Sequence, residues 1–372
     1  MGWFSRKTAE PIKPFVPVWL QGEGGEAGRF PRGYQAQLNE VYRSNPVGLR
    51  AVRLVAGLIG TLPLFITKGD ARAIDLVRTN CLLERAAAAL LLHGNAYVRL
   101  AVDGHDRPAE LHLMRPEKIT IVCGPDGWPS AYLYRAGGEA TRVPKEDALG
   151  RQTVAHLKAL NPSDDHYGLG CLDAAIGAAS VHNRASRWNK ALLDNAARPS
   201  GALIYDPSDG SSLSGEQFDR LRTELEEQFS GSANAGRPLL LDGGLKWQSL
   251  GLSPADMDFV AVKEGAARDI ALAFGVPPVL VGLPGDATYA NAREAGRALY
   301  RQTILPMASS MLDELGAMLS DWLGPVGIEI DTDEISELAE DRARLWESIG
   351  AAEFLSCSEK REQLGFAAED GQ

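Results

Sequence analysis

The sequence predicts an α+β protein with short strands in its first half and long helices in its second half. Before residue 165, short segments of alternating apolar and polar residues are separated by turns rich in Gly, Pro and Asp, which is typical of strands. Residues 170–199 are rich in alanine and contain no internal proline, so they can form one long helix. A second long helix is predicted from residue 253, and the two helices bracket a compact module.

The first helix is predicted from its start signals. Asn45 is a capping residue, Pro46 suits the first helical position, and apolar residues then recur at helical spacing until Gly60. A second apolar helix over residues 81–92 should end at Gly94. Four strands are then expected, at residues 96–102, 118–123, 128–135 and 153–157.

The long helix over residues 170–199 would extend roughly 40 Å at ~1.5 Å per residue. Its predicted packing face consists of Leu172, Ile176, Ser180, Ala185, Trp188 and Leu192. We interpret Trp188 and His182 as packing residues; the alternative is that their rings stack on nucleic acid bases.

The module after this helix carries local signals of its own. Residues 202–205 suit a strand, and Ser214 with Gln217 forms a capping box for a helix. Residues 238–241 and 245–250 flank an Asp-Gly-Gly turn, so they are predicted to pair as a hairpin.

The rest of the chain is predicted to be mainly helical. A helix beginning at Ser253, with Pro254 at its first position, should end before Gly275. After a loop rich in Gly and Pro, a long helix is expected over residues 291–323, with a kink at Pro306. One or two shorter helices should follow, at residues 334–349 and 358–364.

Composition and charge exclude several classes of protein. No stretch reaches the ~20 consecutive apolar residues that a membrane helix needs. The four cysteines lie too far apart for a zinc motif or a disulfide framework, so we expect free thiols. The net charge of −11 argues against tight gripping of DNA, because phosphate binding requires clustered Lys and Arg.

No arrangement of residues points to catalysis. The sequence contains no P-loop, GxSxG or HExxH motif. Asp164, Asp165 and His166 could suggest acid–base or metal chemistry, but they lie in a turn sequence with no second His or Cys nearby. Gly282 and Gly285 could hold an anion on backbone amides, although a plain loop is the simpler interpretation. We therefore expect no enzyme, no metal and no cofactor.

The order of these elements resembles the portal proteins of long-tailed bacteriophages and of gene transfer agents. The resemblance covers roughly residues 40–365. It is carried by His93-Gly94-Asn95-Ala96-Tyr97, by Leu113-Met114-Arg115-Pro116, by the glycines before residue 171, and most specifically by Phe274-Gly275-Val276-Pro277-Pro278 with the loop that follows. Relatives often have Ser-Pro where this chain has Cys171-Leu172, which blurs one motif without removing the helix start.

The resemblance implies a portal-type fold with named parts. These are a mobile arm (1–30), a β-rich wing (31–169), two stem helices (170–199 and 253–276) around an α/β clip (200–252), a tunnel loop region (277–290), a kinked wing helix with a strand (291–332) and a short acidic, helical crown (333–372). It implies a ring, of twelve subunits in the particle, at one capsid vertex.

The resemblance also implies partners and contact residues. The expected partners are double-stranded DNA bound without sequence specificity, a large terminase, a head–tail adaptor and the major capsid protein, with assembly in a bacterial cytoplasm and no membrane. The channel residues would be Lys263 and the tunnel loop, made of Gly282, Leu283, Pro284, Gly285, Asp286, Ala287, Thr288 and Tyr289. Partner-binding clip residues would be Arg220, Arg222, Arg237 and Lys246. The alternative function is an oligomeric scaffold of a phage-like particle without a DNA channel.

Overall fold

The computed structural model describes residues 33–194, 201–205, 214–220, 223, 245–249, 259–283 and 288–364. The helices in these ranges are α1 (Tyr34–Leu38), α2 (Pro46–Gly60), α3 (Arg72–Arg78), α4 (Leu82–His93), α5 (Leu172–Asp194), α6 (residues 215–220), α7 (Phe259–Ala273), α8 (Tyr289–Leu299), α9 (Leu305–Leu323), α10 (Ala339–Ala351) and α11 (Cys357–Gln363). The strands are β1 (Leu64–Lys68), β2 (Asn95–Val102), β3 (Pro108–Met114), β4 (Ile119–Cys123), β5 (Pro129–Ala136), β6 (Glu139–Pro144), β7 (Val154–Lys158), β8 (Gly201–Tyr205), β9 (Leu245–Ser249) and β10 (Gly327–Ile330). The predicted α+β class is confirmed.

All the strand pairs in the described ranges are antiparallel. Two three-stranded sheets, ordered β3-β2-β7 and β4-β5-β6, form the β-rich part of the first half. β1 pairs with β10, more than 250 residues later, and β8 pairs with β9. The predicted partner of β9 over residues 238–241 lies outside the described residues.

The capping signals read from the sequence act as predicted. The Asn45 side chain accepts hydrogen bonds from the backbone N–H groups of Val47 and Gly48 at the start of α2. Gly94 ends α4 in the left-handed region, with φ +79°. The Ser214 hydroxyl accepts from the Gln217 N–H, and the Gln217 side chain accepts from the Ser214 N–H, which is the predicted capping box.

One large core joins the two halves of the chain. It combines buried residues of α2, α4, β2, α5, α7 and α9, and α9 also packs against β7. A smaller core lies between the two three-stranded sheets and includes Tyr97, Tyr132 and Tyr167. α9 is therefore packed into the same core as the N-terminal sheet that contains β2 and β7.

Pro306 does not end the last long helical segment. The chain passes from α8 into a π-helical turn, Tyr300–Ile304, and then into α9, whose second residue is Pro306. Proline lacks an N–H and its ring crowds the carbonyl four residues earlier, which a wider π turn accommodates. The irregularity predicted at this point is therefore a π turn that precedes the proline.

Candidate functional site

α5 and α7, the described parts of the two predicted stem helices, pack against each other. Their buried faces are rich in alanine, such as Ala175 and Ala179 on α5 and Ala267 and Ala271 on α7, and small side chains allow close approach. Near the end of α5, the rings of Trp188 and Phe259 lie 6.2 Å apart. Trp188 thus contacts the neighbouring helix, as predicted, although it stays half exposed.

A buried polar junction fixes α5 to the start of α2. The Asn45 amide donates to Asn183 Oδ1 at 2.9 Å and lies 3.2 Å from His182 Nδ1. The Asn183 amide donates to the Glu40 carbonyl at 2.8 Å. His182 is only 4% exposed, so its ring cannot stack on a base in this fold.

Lys263 of α7 acts on this junction through its charge. Burial lowers the pKa of His182 first, and the positive charge of Lys263 lowers it further. The Lys263 side chain is half-buried, and its place in the channel stays a prediction.

The turn that ends α7 is held by the π turn. Phe274 and Val276 are buried, while Gly275 adopts φ +65°. The Thr303 hydroxyl donates to the Gly275 carbonyl at 2.8 Å, and a Cβ on Gly275 would lie 2.9 Å from that hydroxyl oxygen. The first flank of the predicted tunnel loop is thus anchored before the chain reaches Gly282.

The second flank is anchored by a helix cap. The Thr288 hydroxyl accepts a hydrogen bond from the Asn291 N–H at 3.2 Å, so α8 begins at Tyr289. Residues 278–281 form a short 3-10 turn that ends at Gly282, whose φ is +82°. Four predicted loop residues, Pro284, Gly285, Asp286 and Ala287, lie outside the described residues.

A charged cluster near the second flank was not predicted from the sequence. Arg293 and Arg297 of α8 and Arg301 of the π turn contact Glu340 and Asp341 at the start of α10. The available signals were an arginine every fourth residue and a Glu-Asp pair in the first turn of an acidic helix. Neither signal indicates that the arginines and the two carboxylates contact each other.

Two of the four predicted clip contacts lie in the described residues. Arg220 lies on the exposed helix α6, and Lys246 lies on β9, opposite Ile204 of β8. Arg222 and Arg237 lie outside the described residues.

The groups that could suggest chemistry have structural partners. One Asp164 oxygen accepts from the N–H groups of His166 and Tyr167, which makes this aspartate a turn cap. Cys123 Sγ lies 3.7 Å from His166 Nε2, but burial raises the pKa of the Cys123 thiol, so no reactive thiolate is indicated. In the part of the chain that the structure describes, no cluster of three or more His, Cys, Asp or Glu could hold a metal ion, and no helix is long and apolar enough to cross a membrane.

The chain belongs to the phage portal protein family, whose pattern it matches over residues 46–365. It is 40% identical to an uncharacterized protein of Rickettsia felis, over 88% of both chains, and 28% identical to a probable portal protein of Streptomyces phage phiC31, over 80% of this chain and 65% of that protein. A chain in the neck of a native gene transfer agent particle, computed with C12 symmetry, is 43% identical and superposes with a TM-score of 0.71, over 94% of this chain and 98% of that one. The predicted portal family is confirmed.

Proposed function

We propose that this protein forms a closed ring of twelve subunits in the neck of a phage-like particle, where it is the conduit for double-stranded DNA. The observation that carries the proposal is the 43% identity, over 94% of the chain, with a subunit from a gene transfer agent neck computed with C12 symmetry. With this identity over nearly the whole chain, we expect this protein to keep the contacts between neighbouring subunits that close the ring.

The helix pair supports association with further copies. Val260, Val262 and Leu272 of α7 are 68%, 46% and 75% exposed, and Trp188 of α5 is 48% exposed. Large apolar side chains that stay exposed on helices already packed together indicate further contacts in an assembly. In a ring, the helix pairs of adjacent subunits would cover these residues.

The parts of the subunit would then have distinct roles. We assign the wing to residues 31–169 and 291–332, the stem to α5 and α7, the clip to residues 200–252 and the crown to residues from 333. The clip would contact the terminase during packaging and the head–tail adaptor afterwards, with Arg220, Arg222, Arg237 and Lys246 as contact residues. The wing would face the major capsid protein.

The DNA contact in this proposal is weak and independent of sequence. The predicted loop over residues 282–289 contains Asp286 and no Lys or Arg, and the chain carries a net charge of −11. Counterion release, which drives binding to phosphates, needs basic side chains. The loop would therefore guide DNA past it without holding it, and the energy for packaging would come from a separate terminase.

Mass measurement together with negative-stain imaging tests the ring. Twelve subunits of 40.0 kDa give a particle of about 480 kDa with a central hole. Purified rings should also hydrolyse no ATP. A folded protein that stays monomeric at every concentration and salt condition would contradict the ring, and ATP turnover that survives further purification would contradict the passive conduit.

A further inference from the structure

Three arginines form a stripe on the helical segment that follows the predicted tunnel loop. Arg293, Arg297 and Arg301 are spaced four residues apart, so they lie on one side of the segment formed by α8 and the π turn. They face Glu340 and Asp341, two consecutive carboxylates in the first turn of α10. This stripe and this carboxylate pair join two elements that are about 40 residues apart in sequence.

Arg297 is the centre of the cluster. It is 6% exposed, and its guanidinium donates to Glu294 Oε2 at 2.9 Å and to Glu340 Oε2 at 2.5 Å. Its Nε lies 3.7 Å from Asp341 Oδ1. On either side, Arg293 contacts Glu340 and Arg301 contacts Asp341.

Burial makes this cluster different from a surface ion pair. An exposed pair contributes little, whereas removing one partner of a buried arginine leaves a charge without compensation in a region of low dielectric. If α10 moved away, Arg297 would keep only the Glu294 carboxylate of its own helix. α8 and the start of α10 are therefore expected to move as one unit.

The cluster also reaches both flanks of the loop. α8 begins at Tyr289, directly after the loop, and Arg297 lies about two turns further along. Leu280, in the 3-10 turn before the loop, lines the same cavity as Arg297 and Glu340. α8 also contacts this 3-10 turn, so the position of α10 is linked directly to the second flank of the loop and, through α8, to the first.

We propose that Arg297 is a positioning residue through which the crown helix α10 fixes the orientation of α8 and, with it, the second flank of the predicted tunnel loop. The loop's contact with DNA rests on the proposed function, whereas the coupling between α10 and α8 does not. The assembled ring would transmit a displacement of α10 to α8 through this cluster.

Hydrogen–deuterium exchange of assembled rings tests the coupling directly. Glu340→Gln combined with Asp341→Asn removes both carboxylate charges while keeping side-chain size. The variant should raise the exchange rate of peptides covering residues 282–299 by about tenfold, because charge-assisted hydrogen bonds to Arg297 are lost. The matched control is Glu347→Gln, which makes the same chemical change at an exposed position of the same helix; it should leave that exchange unchanged.

Two arginine variants separate positioning from general stability. Arg297→Lys keeps the charge but cannot make the forked contacts, so exchange over residues 282–299 should lie between the parent and the carboxylate variant. Arg297→Gln, if it folds, should show faster exchange over these residues than either of those variants. If it does not fold, the carboxylate variant and Arg297→Lys still test the proposal. Unchanged exchange over residues 282–299 in the carboxylate variant, or loss of protection confined to α10, would overturn the proposal.

The failure of this proposal can be told apart from a failure of the proposed function. The coupling is measured by exchange in empty rings, with no DNA present. The role of the loop is measured by DNA packaged into particles made with Gly285→Pro subunits, in which the cluster is intact. Parental packaging by that variant would remove the loop's role and leave the measured coupling in place.

Discussion

The sharpest stability prediction concerns Gly94, where two segments of chain pass without room for a side chain. A Cβ at this position would collide with the Leu169 carbonyl carbon and would lie 2.5 Å from Gly170 N and 2.6 Å from the Gly168 carbonyl carbon. All three are backbone atoms, so no side-chain rotation can relieve the contact. Gly94 also has φ +79°, a conformation that favours glycine.

Gly94→Ala should therefore incur two costs, and Gly127→Ala only one of them. Gly127 has φ +84° in a turn, and no atom lies within 4 Å of the point where an alanine Cβ would stand. The backbone strain should cost about 1–2 kcal/mol in both variants, and the displaced backbone a further ~1–3 kcal/mol or more in Gly94→Ala alone. The extra cost includes weakening of the two hydrogen bonds between the Asn95 side chain and the Gly168 backbone, at 2.8 and 3.1 Å, because the new Cβ displaces Gly168.

The assay is thermal unfolding followed by circular dichroism at matched protein concentration. Gly94→Ala should melt roughly 3–6 °C below the parent, and Gly127→Ala about 1–3 °C below. Equal shifts for the two variants would refute the close approach at Gly94 and leave backbone conformation as the whole effect.

Three further predictions follow from individual contacts. Burial lowers the pKa of His93 from its ordinary 6.5 to about 4. The unfolded chain then binds a proton that the folded chain does not, so His93 alone should lower stability by about 2 kcal/mol between pH 7.5 and pH 5. Burial also lowers the pKa values of His156 and His182, which add to this loss. His93→Gln should reduce the pH dependence of urea unfolding by His93's share, and His105→Gln, at an exposed position, should not. Cys81 has φ +52°, a backbone conformation that favours glycine. Cys81→Gly should therefore stabilise the folded protein by up to about 1 kcal/mol, while Cys81→Val should destabilise it. Equal unfolding midpoints for the two variants would contradict this. Thr288→Val removes the cap of α8 and should cost about 1 kcal/mol, seen as faster exchange over residues 289–293, whereas Thr288→Ser should keep the cap.

Local signals in the sequence predicted local structure well. Asn45-Pro46 and Gly94 mark helix ends because a cap or a left-handed residue acts through its immediate neighbours. The Ser214 capping box is equally local. The same reasoning identified the loop after Pro278 as lying between two fixed flanks, although the sequence did not indicate that Thr303 would be one of the anchors.

Features that depend on distant residues were missed. β1 has too short an alternation to be identified as a strand, and its partner β10 lies more than 250 residues later. Two π turns, Asn39–Arg43 and Tyr300–Ile304, follow from packing and have no sequence signal of their own.

The candidate site shows why its chemistry was harder to predict than its fold. A catalytic centre can be recognised from residue types at fixed spacing, whereas a conduit depends on where a loop is held. The groups that act on the flanks here are Thr303, which bonds to Gly275 before the loop, and Arg297, which bonds to Glu340 and lies on the helix after the loop. Both are ordinary helix-surface residues in the sequence. Their role depends on Gly275 and Glu340, which only the folded chain brings to them. The flanks of the loop are therefore held by residues outside the loop, and variants of these anchors test the position of the flanks more directly than variants of the loop itself.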